Sequence, residues 1–120
     1  MELQELKVES LLRSLGDKCP TPGGGAAAGV TAAIGLAAGR MVLAYSIGRK
    51  DLAEHETANT AALQELEAWR DEAVALAEAD AEAFGILSAL WKLPEDHPER
   101  VADWEVAVRA AINAPLAMCR

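Results

Sequence analysis

Residues 19–31 read CPTPGGGAAAGVT, and this stretch decides how the chain is organised. A loop stiffened by two prolines passes into three glycines and then into a helix built almost entirely of Ala and Gly. Proline ends a preceding helix, whereas glycine lets the backbone turn sharply and lets another group approach closely. A helix that begins here presents unpaired amide N–H groups at the positive end of its dipole. The stretch therefore fits either a cradle for a polar or anionic ligand or a close crossing of two helices.

Helical spacing of apolar residues extends outward from this stretch in both directions. It predicts four helices, over residues 3–15, 25–46, 52–93 and 99–120. In the second helix Gly and Ala recur three or four positions apart, which predicts close contact with another helix. No run of alternating β-branched residues predicts a strand. The fold class is therefore all-α, an antiparallel helical bundle with a long third helix.

The length of the third helix bears on how the bundle is completed. At 1.5 Å per residue it spans about 60 Å, more than a compact domain of this size needs. It therefore bends, breaks near Gly85, or extends into a partner subunit. The apolar pattern of the fourth helix continues past Pro115 to the last residues. We expect residues 1–120 to form one incomplete helical domain, completed by missing C-terminal helices or by oligomerisation.

Composition limits the classes of function. The chain has 120 residues, of which 52% are hydrophobic and 25% charged, as in one globular domain. A net charge of −8 argues against nucleic acid as a partner. Isolated cysteines and an acidic N-terminus without a secretory signal predict a cytoplasmic protein. Residues 23–47 are apolar but rich in Ala and Gly and interrupted by Arg40, so we expect a soluble helix buried on most sides rather than a membrane span.

Residues 77–84, AEADAEAF, hold the candidate catalytic carboxylate. Asp80 falls four positions before Phe84 and close to the apolar stripe, while Glu78 and Glu82 point more outward. A carboxylate sheltered on the inner side of an Ala-rich helix can give and take protons near neutrality. The alternative is an edge carboxylate that hydrogen-bonds a neighbouring helix.

Residues 92–94, KLP, end the third helix with a cation in its last turn. Lys92 suits the negative end of the helix dipole, so a structural role competes with a ligand contact. His55 and His97 stand apart, without the spacing of metal ligands, and we expect no metal site. No serine has a histidine at a position that indicates a nucleophilic triad.

Three motifs occur in order: PTPGGGAAA at 20–28, DAEAF at 80–84, and KLP at 92–94 followed by Arg100. Together they resemble the cyclodeaminase/cyclohydrolase domain of the formiminotransferase-cyclodeaminase family, over essentially the whole chain. The resemblance implies an all-helical, oligomeric, folate-dependent enzyme. Members close 5-formimidoyltetrahydrofolate to 5,10-methenyltetrahydrofolate with loss of ammonia, or hydrolyse methenyltetrahydrofolate to the formyl form.

The resemblance also implies the roles of particular residues. By this resemblance Asp80 is the catalytic acid and base, and the substrate is a tetrahydrofolate derivative, with no tightly bound cofactor. The substrate-binding residues it implies are Thr21, Pro22, Gly23, Gly24, Gly25 and Lys92. We expect a homo-oligomer, a homodimer, because the incomplete bundle should leave apolar surface exposed. Ala26 departs from the family pattern, which has Ser there, and removes a hydroxyl. The alternative function is a non-catalytic helical oligomerisation or folate-binding module.

Overall fold

The computed structural model describes residues 2–120, which form four α-helices and two short 3₁₀ helices and no strand. The predicted all-α class is confirmed. The first 3₁₀ helix, Leu3–Glu5, precedes α1 (Val8–Gly16) and α2 (Gly24–Ser46). The second, Lys50–His55, precedes α3 (Glu56–Trp91) and α4 (Pro98–Met118).

Helices α2 and α3 lie antiparallel, and glycines bring them together. A Cβ atom built on Gly29 would fall 2.7 Å from the Cβ of Ala77 and 3.0 Å from the carbonyl oxygen of Ala73. Further along, a Cβ on Gly39 would fall 3.3 Å from Cδ1 of Leu66. The close helix contact predicted from the small residues of α2 is confirmed, because the backbone of α2 itself forms the contact surface.

Helix α4 runs back along the other side of α3. Leu87 and Leu90 pack against Ala107 in one buried cluster. At the turn between the two helices, the rings of Trp91 and Trp104 meet edge to face, with centroids 5.9 Å apart. Helix α3 is therefore the central element, with α2 and α4 on its flanks.

The three long helices form one flat layer. The Cα atoms extend over 68 × 28 × 17 Å with a radius of gyration of 18.9 Å, against about 14 Å for a compact domain of this length. The accessible surface is 8371 Å², whereas a compact monomer of this mass exposes about 6,200 Å². Large apolar side chains consequently remain exposed on α2 and α4, namely Ile34, Met41, Val42, Tyr45, Val101, Val106, Ile112 and Leu116.

Two predicted helices differ from the observed ones. The first is divided at Leu6, where the backbone is extended, because Leu3 turns inward to join the buried cluster of Ala26 and Ala77. The third begins only after the 3₁₀ helix, at Glu56, and then runs unbroken through Gly85. Of the three alternatives left open for this helix, a break near Gly85 is therefore excluded.

The expectation that α2 is buried on most sides is also wrong. Within the described residues only Ala26, Gly29 and Ala33 of this helix are buried, because α3 alone packs along its length. Its charged residue Arg40 donates from Nε to Oε1 of Glu67 on α3 at 2.5 Å. By length and composition α2 is apolar enough to cross a membrane.

Candidate active site

The loop before α2 adopts a compact shape that delivers the glycines to the helix start. The Cys19 thiol donates to the carbonyl oxygen of Thr21 at 3.2 Å, and the Thr21–Pro22 peptide is cis. Pro22 is buried, and Gly23 has the extended backbone of an N-cap residue. The first bond of the helical ladder runs from the Ala27 amide to the Gly23 carbonyl at 3.0 Å. The amides of residues 24–26 therefore precede the ladder and have no partner within the helix.

Asp80 lies directly against the start of α2. A Cβ atom built on Gly25 would fall 2.5 Å from Cγ of Asp80 and 2.6 Å from its Oδ1. Asp80 reaches this place because it lies one turn after Ala77, which is completely buried at the helix crossing. Its side chain is half-buried. The structure thus places a carboxylate that a ligand can reach at the positive end of the α2 dipole.

A pocket of 440 Å³ adjoins this contact on the loop side. Thr21 and Pro22, two of the residues predicted to bind substrate, line it together with Glu2, Leu3, Glu78, Ala81 and Glu82. Asp80 lies beside this pocket and is not part of its lining. The structure therefore brings Thr21 and Pro22 close to the Asp80–Gly25 contact, and the pocket lies between the loop and the α3 residues on either side of Asp80.

Sequence reasoning missed the second wall of the pocket. Glu78 and Glu82 are four residues apart, so they lie one above the other on the face of α3 that meets the loop. Gly85 continues that face, and a Cβ on it would fall 3.6 Å from Cγ2 of Thr21. The four-residue spacing of the glutamates indicates that they share one face of the helix, but the sequence alone does not show that the loop packs against that face.

Lys92 lies apart from the other predicted site residues. It is exposed and occupies the C-cap of α3, twelve residues after Asp80, which corresponds to about 18 Å along the helix. The structure does not bring it beside Asp80. A single ligand that contacts both side chains would have to extend along α3 over this distance.

The turn that carries Lys92 is held by Arg100. Its Nη1 donates to the carbonyl oxygen of Leu93 at 2.7 Å. Its guanidinium also lies 4.5 Å from the ring centroid of Trp104. An arginine that satisfies a carbonyl beyond a helix end in this way fixes the path of the chain after α3.

The chemistry available at the site follows from these groups. The half-buried carboxylate can transfer protons, and unpaired amides can donate hydrogen bonds to a polar ligand. Within residues 2–120, no three His, Cys, Asp or Glu side chains are grouped so that they could hold a metal ion.

Comparison with known proteins agrees with the motifs. A family model described as formiminotransferase-cyclodeaminase matches residues 7–120. A methenyltetrahydrofolate cyclohydrolase from Methylorubrum extorquens is 34% identical over 117 residues, which cover 94% of this chain and 56% of the relative. A formimidoyltransferase-cyclodeaminase from Gallus gallus is 30% identical over 110 residues, 88% of this chain and 20% of the relative.

The similarity extends along almost the whole of this chain, whereas the chain spans about half the length of the bacterial relative and about a fifth of the avian one. A formimidoyltransferase-cyclodeaminase from Sus scrofa shows the same relation, with 30% identity over 92% of this chain and 21% of the relative. The matched region includes the proline–glycine loop, Asp80 and the turn at Lys92. The chain belongs to the formiminotransferase-cyclodeaminase family.

Proposed function

We propose that this chain takes part in folate one-carbon chemistry, making or breaking a C–N bond at 5,10-methenyltetrahydrofolate. The observation that carries the proposal is the contact between the Asp80 carboxyl and Gly25 at the start of α2. In this contact a carboxyl group lies beside unpaired amides and next to a pocket large enough for part of a ligand, which supports a role in proton transfer. The names of the relatives supply the class of substrate.

The reaction requires proton transfer at two places. In hydrolysis, water adds to the carbon between the two nitrogens of methenyltetrahydrofolate and gives a tetrahedral centre. One C–N bond then breaks, the oxygen becomes the formyl oxygen, one water proton ends on the leaving nitrogen and the other passes to solvent. A single carboxylate can take the first proton from water and deliver it to the nitrogen. In our proposal Asp80 performs both transfers.

Cyclodeamination uses the same tetrahedral carbon with a different leaving group. A folate nitrogen attacks the formimidoyl carbon of 5-formimidoyltetrahydrofolate, and the former imino nitrogen leaves as ammonia after it gains protons. Asp80 would again be the group that moves the proton. The higher identity and coverage of the bacterial relative support hydrolysis as the activity of this chain.

The loop before α2 completes the proposed binding site, through Thr21, Pro22, Gly23, Gly24 and Gly25. Lys92 lies at the far end of this site. The amides of residues 24–26 can donate to polar atoms of the pterin. Because the net charge is −8, an anionic glutamate tail gains no long-range attraction and depends on a local cation. Lys92 is the cation we propose for that contact.

The experiment that tests the enzyme is the decay of the methenyltetrahydrofolate chromophore in the presence of the purified chain. Faster decay than in buffer supports the cyclohydrolase, and ammonia released from 5-formimidoyltetrahydrofolate supports the cyclodeaminase. A chain that neither binds nor converts either compound contradicts the proposed function.

A non-catalytic folate-binding or oligomerisation module is the second candidate. Ala26 in place of the usual Ser favours it, because the side chain at the third helical position is buried and has no hydroxyl. The same assay separates the candidates. Saturable binding of methenyltetrahydrofolate without accelerated decay identifies the module.

A homodimer is part of the proposal. The described residues expose about 2,000 Å² more surface than a compact monomer of this mass, and a standard interface needs only about 800 Å² from each partner. The exposed side of α2 is apolar and uncharged apart from Arg40, which pairs with Glu67. Two copies that each carry a net charge of −8 repel one another least where they meet through an uncharged face.

We also propose a cytoplasmic location. Cys19 and Cys119 are free thiols, which is consistent with that location.

A further inference from the structure

The geometry points to Gly25 as a positioning residue: the absence of its side chain keeps the Asp80 carboxyl at the start of α2. This inference rests on the proposed function of Asp80 and changes the role of Gly25 within it. The carboxyl occupies the space that a Cβ on residue 25 would take, with Cγ at 2.5 Å and Oδ1 at 2.6 Å from that position. The three nearest atoms to that position outside the local helix backbone all belong to the Asp80 carboxyl group.

The atoms that a new methyl group would meet decide what a substitution does. At Gly25 they belong to the end of a rotatable side chain, so Gly25→Ala displaces the carboxyl while the helices keep their spacing. At Gly29 they include backbone atoms of Ala73 and Ala77, at 3.0 Å and 3.2 Å, so Gly29→Ala forces the two helices apart. The two glycines therefore have separate roles: Gly25 positions Asp80, and Gly29 permits the helix crossing.

The direct test is the conformation of Asp80 in Gly25→Ala, measured from the Hα–Hβ couplings by NMR or from a crystal structure. We expect a different χ1 from that of the unmodified chain, whereas Gly16→Ala, which adds a methyl group to open space, leaves χ1 unchanged. An Asp80 carboxyl that stays in place in Gly25→Ala overturns the inference. This measurement needs no activity, so it decides the role of Gly25 even if the proposed function fails.

A thermal-unfolding cycle adds a second readout that is independent of activity. Asp80→Ala removes the carboxyl, so the change in Tm caused by Gly25→Ala should be less favourable in the unmodified chain than in the Asp80→Ala background. An equal change of Tm in both backgrounds would show that the methyl group does not meet Asp80, and would overturn the inference.

The kinetic cycle links this position to chemistry. Gly25→Ala should lower kcat by about 10- to 100-fold with a smaller change in KM, because a displaced catalytic group loses its alignment with the reacting atoms. In an Asp80→Asn background the same substitution should change the residual rate by less than about twofold. If Gly25→Ala lowers the rate by the same factor in both backgrounds, Gly25 does not act through Asp80.

Discussion

Gly29 and Ala77 meet across the α2–α3 crossing so closely that no methyl group fits between them, since a Cβ on Gly29 would lie 2.7 Å from the Cβ of Ala77. Ala77 is completely buried, and Asp80 follows it by one helical turn. The crossing therefore sets the height of Asp80 relative to the start of α2.

Gly29→Ala should accordingly destabilise the fold. Overpacking of a close contact costs about 1–3 kcal/mol, which outweighs the gain of roughly 0.5–1 kcal/mol expected when Ala replaces Gly in a helix. Gly16→Ala is the matched control, because nothing lies within 4 Å of its added Cβ. Urea unfolding should show a lower midpoint for the first variant and an equal or higher midpoint for the second. Equal midpoints for both variants would show that the crossing tolerates a methyl group at residue 29.

Arg100→Met should loosen the turn between α3 and α4. The substitution removes the hydrogen bond to Leu93 and the contact with the Trp104 ring, together worth about 2 kcal/mol. Hydrogen exchange of the amides in residues 91–97 should accelerate, while exchange in residues 26–33 stays unchanged.

Arg109→Met is the control for that experiment. Its partner Glu105 lies four residues away on the same helix, and both side chains are more than two-thirds exposed. Such a pair contributes only about 0.3–0.5 kcal/mol. If both variants change exchange near the turn by the same amount, Arg100 does not hold it.

Much of this fold follows from residue spacing, but its single-layer form does not. The leucines, alanines and glycines predict four helices and a close crossing, because helix periodicity is a local property. The break at Leu6 depends on the burial of Leu3 against Ala26 and Ala77, which are distant in sequence. The exposed side of α2 could not be foreseen either, since an apolar helix looks the same in sequence whether one neighbour covers it or three.

The candidate site could also be predicted from the sequence only in part. The motifs pointed to Asp80 and the glycine loop, and the structure places Asp80 and Gly25 in contact. The motifs do not show that Glu78 and Glu82 line the pocket with Thr21. They also do not show that Lys92 lies about 18 Å along α3 from Asp80. Distances between motifs depend on the helix that connects them, and the sequence left open whether that helix breaks near Gly85.

Adding a charge to the exposed side of α2 should dissociate the proposed dimer. Val42, which is 61% exposed, lies on this side, and Val42→Glu would place a carboxylate at the interface without disturbing the contact with α3. Light scattering should show half the mass of the unmodified chain at the same concentration. Ala61→Glu, on the exposed surface of α3, should leave the mass unchanged.

Two results would contradict that proposal. One is a monomeric mass for the unmodified chain at micromolar concentration. The other is binding of the unmodified chain, but not of Val42→Glu, to phosphatidylcholine vesicles, which would identify a membrane as the occupant of this face.

The most direct test of the account is the rate at which methenyltetrahydrofolate decays with Asp80→Asn, compared with Asp71→Asn. Asp71 lies on the same helix with its side chain 72% exposed, so it receives the same chemical change away from the site. We predict a rate about 10²- to 10⁴-fold lower for Asp80→Asn, the usual contribution of general acid–base catalysis, and a normal rate for Asp71→Asn. Equal rates for the two variants would contradict the assignment of proton transfer to Asp80.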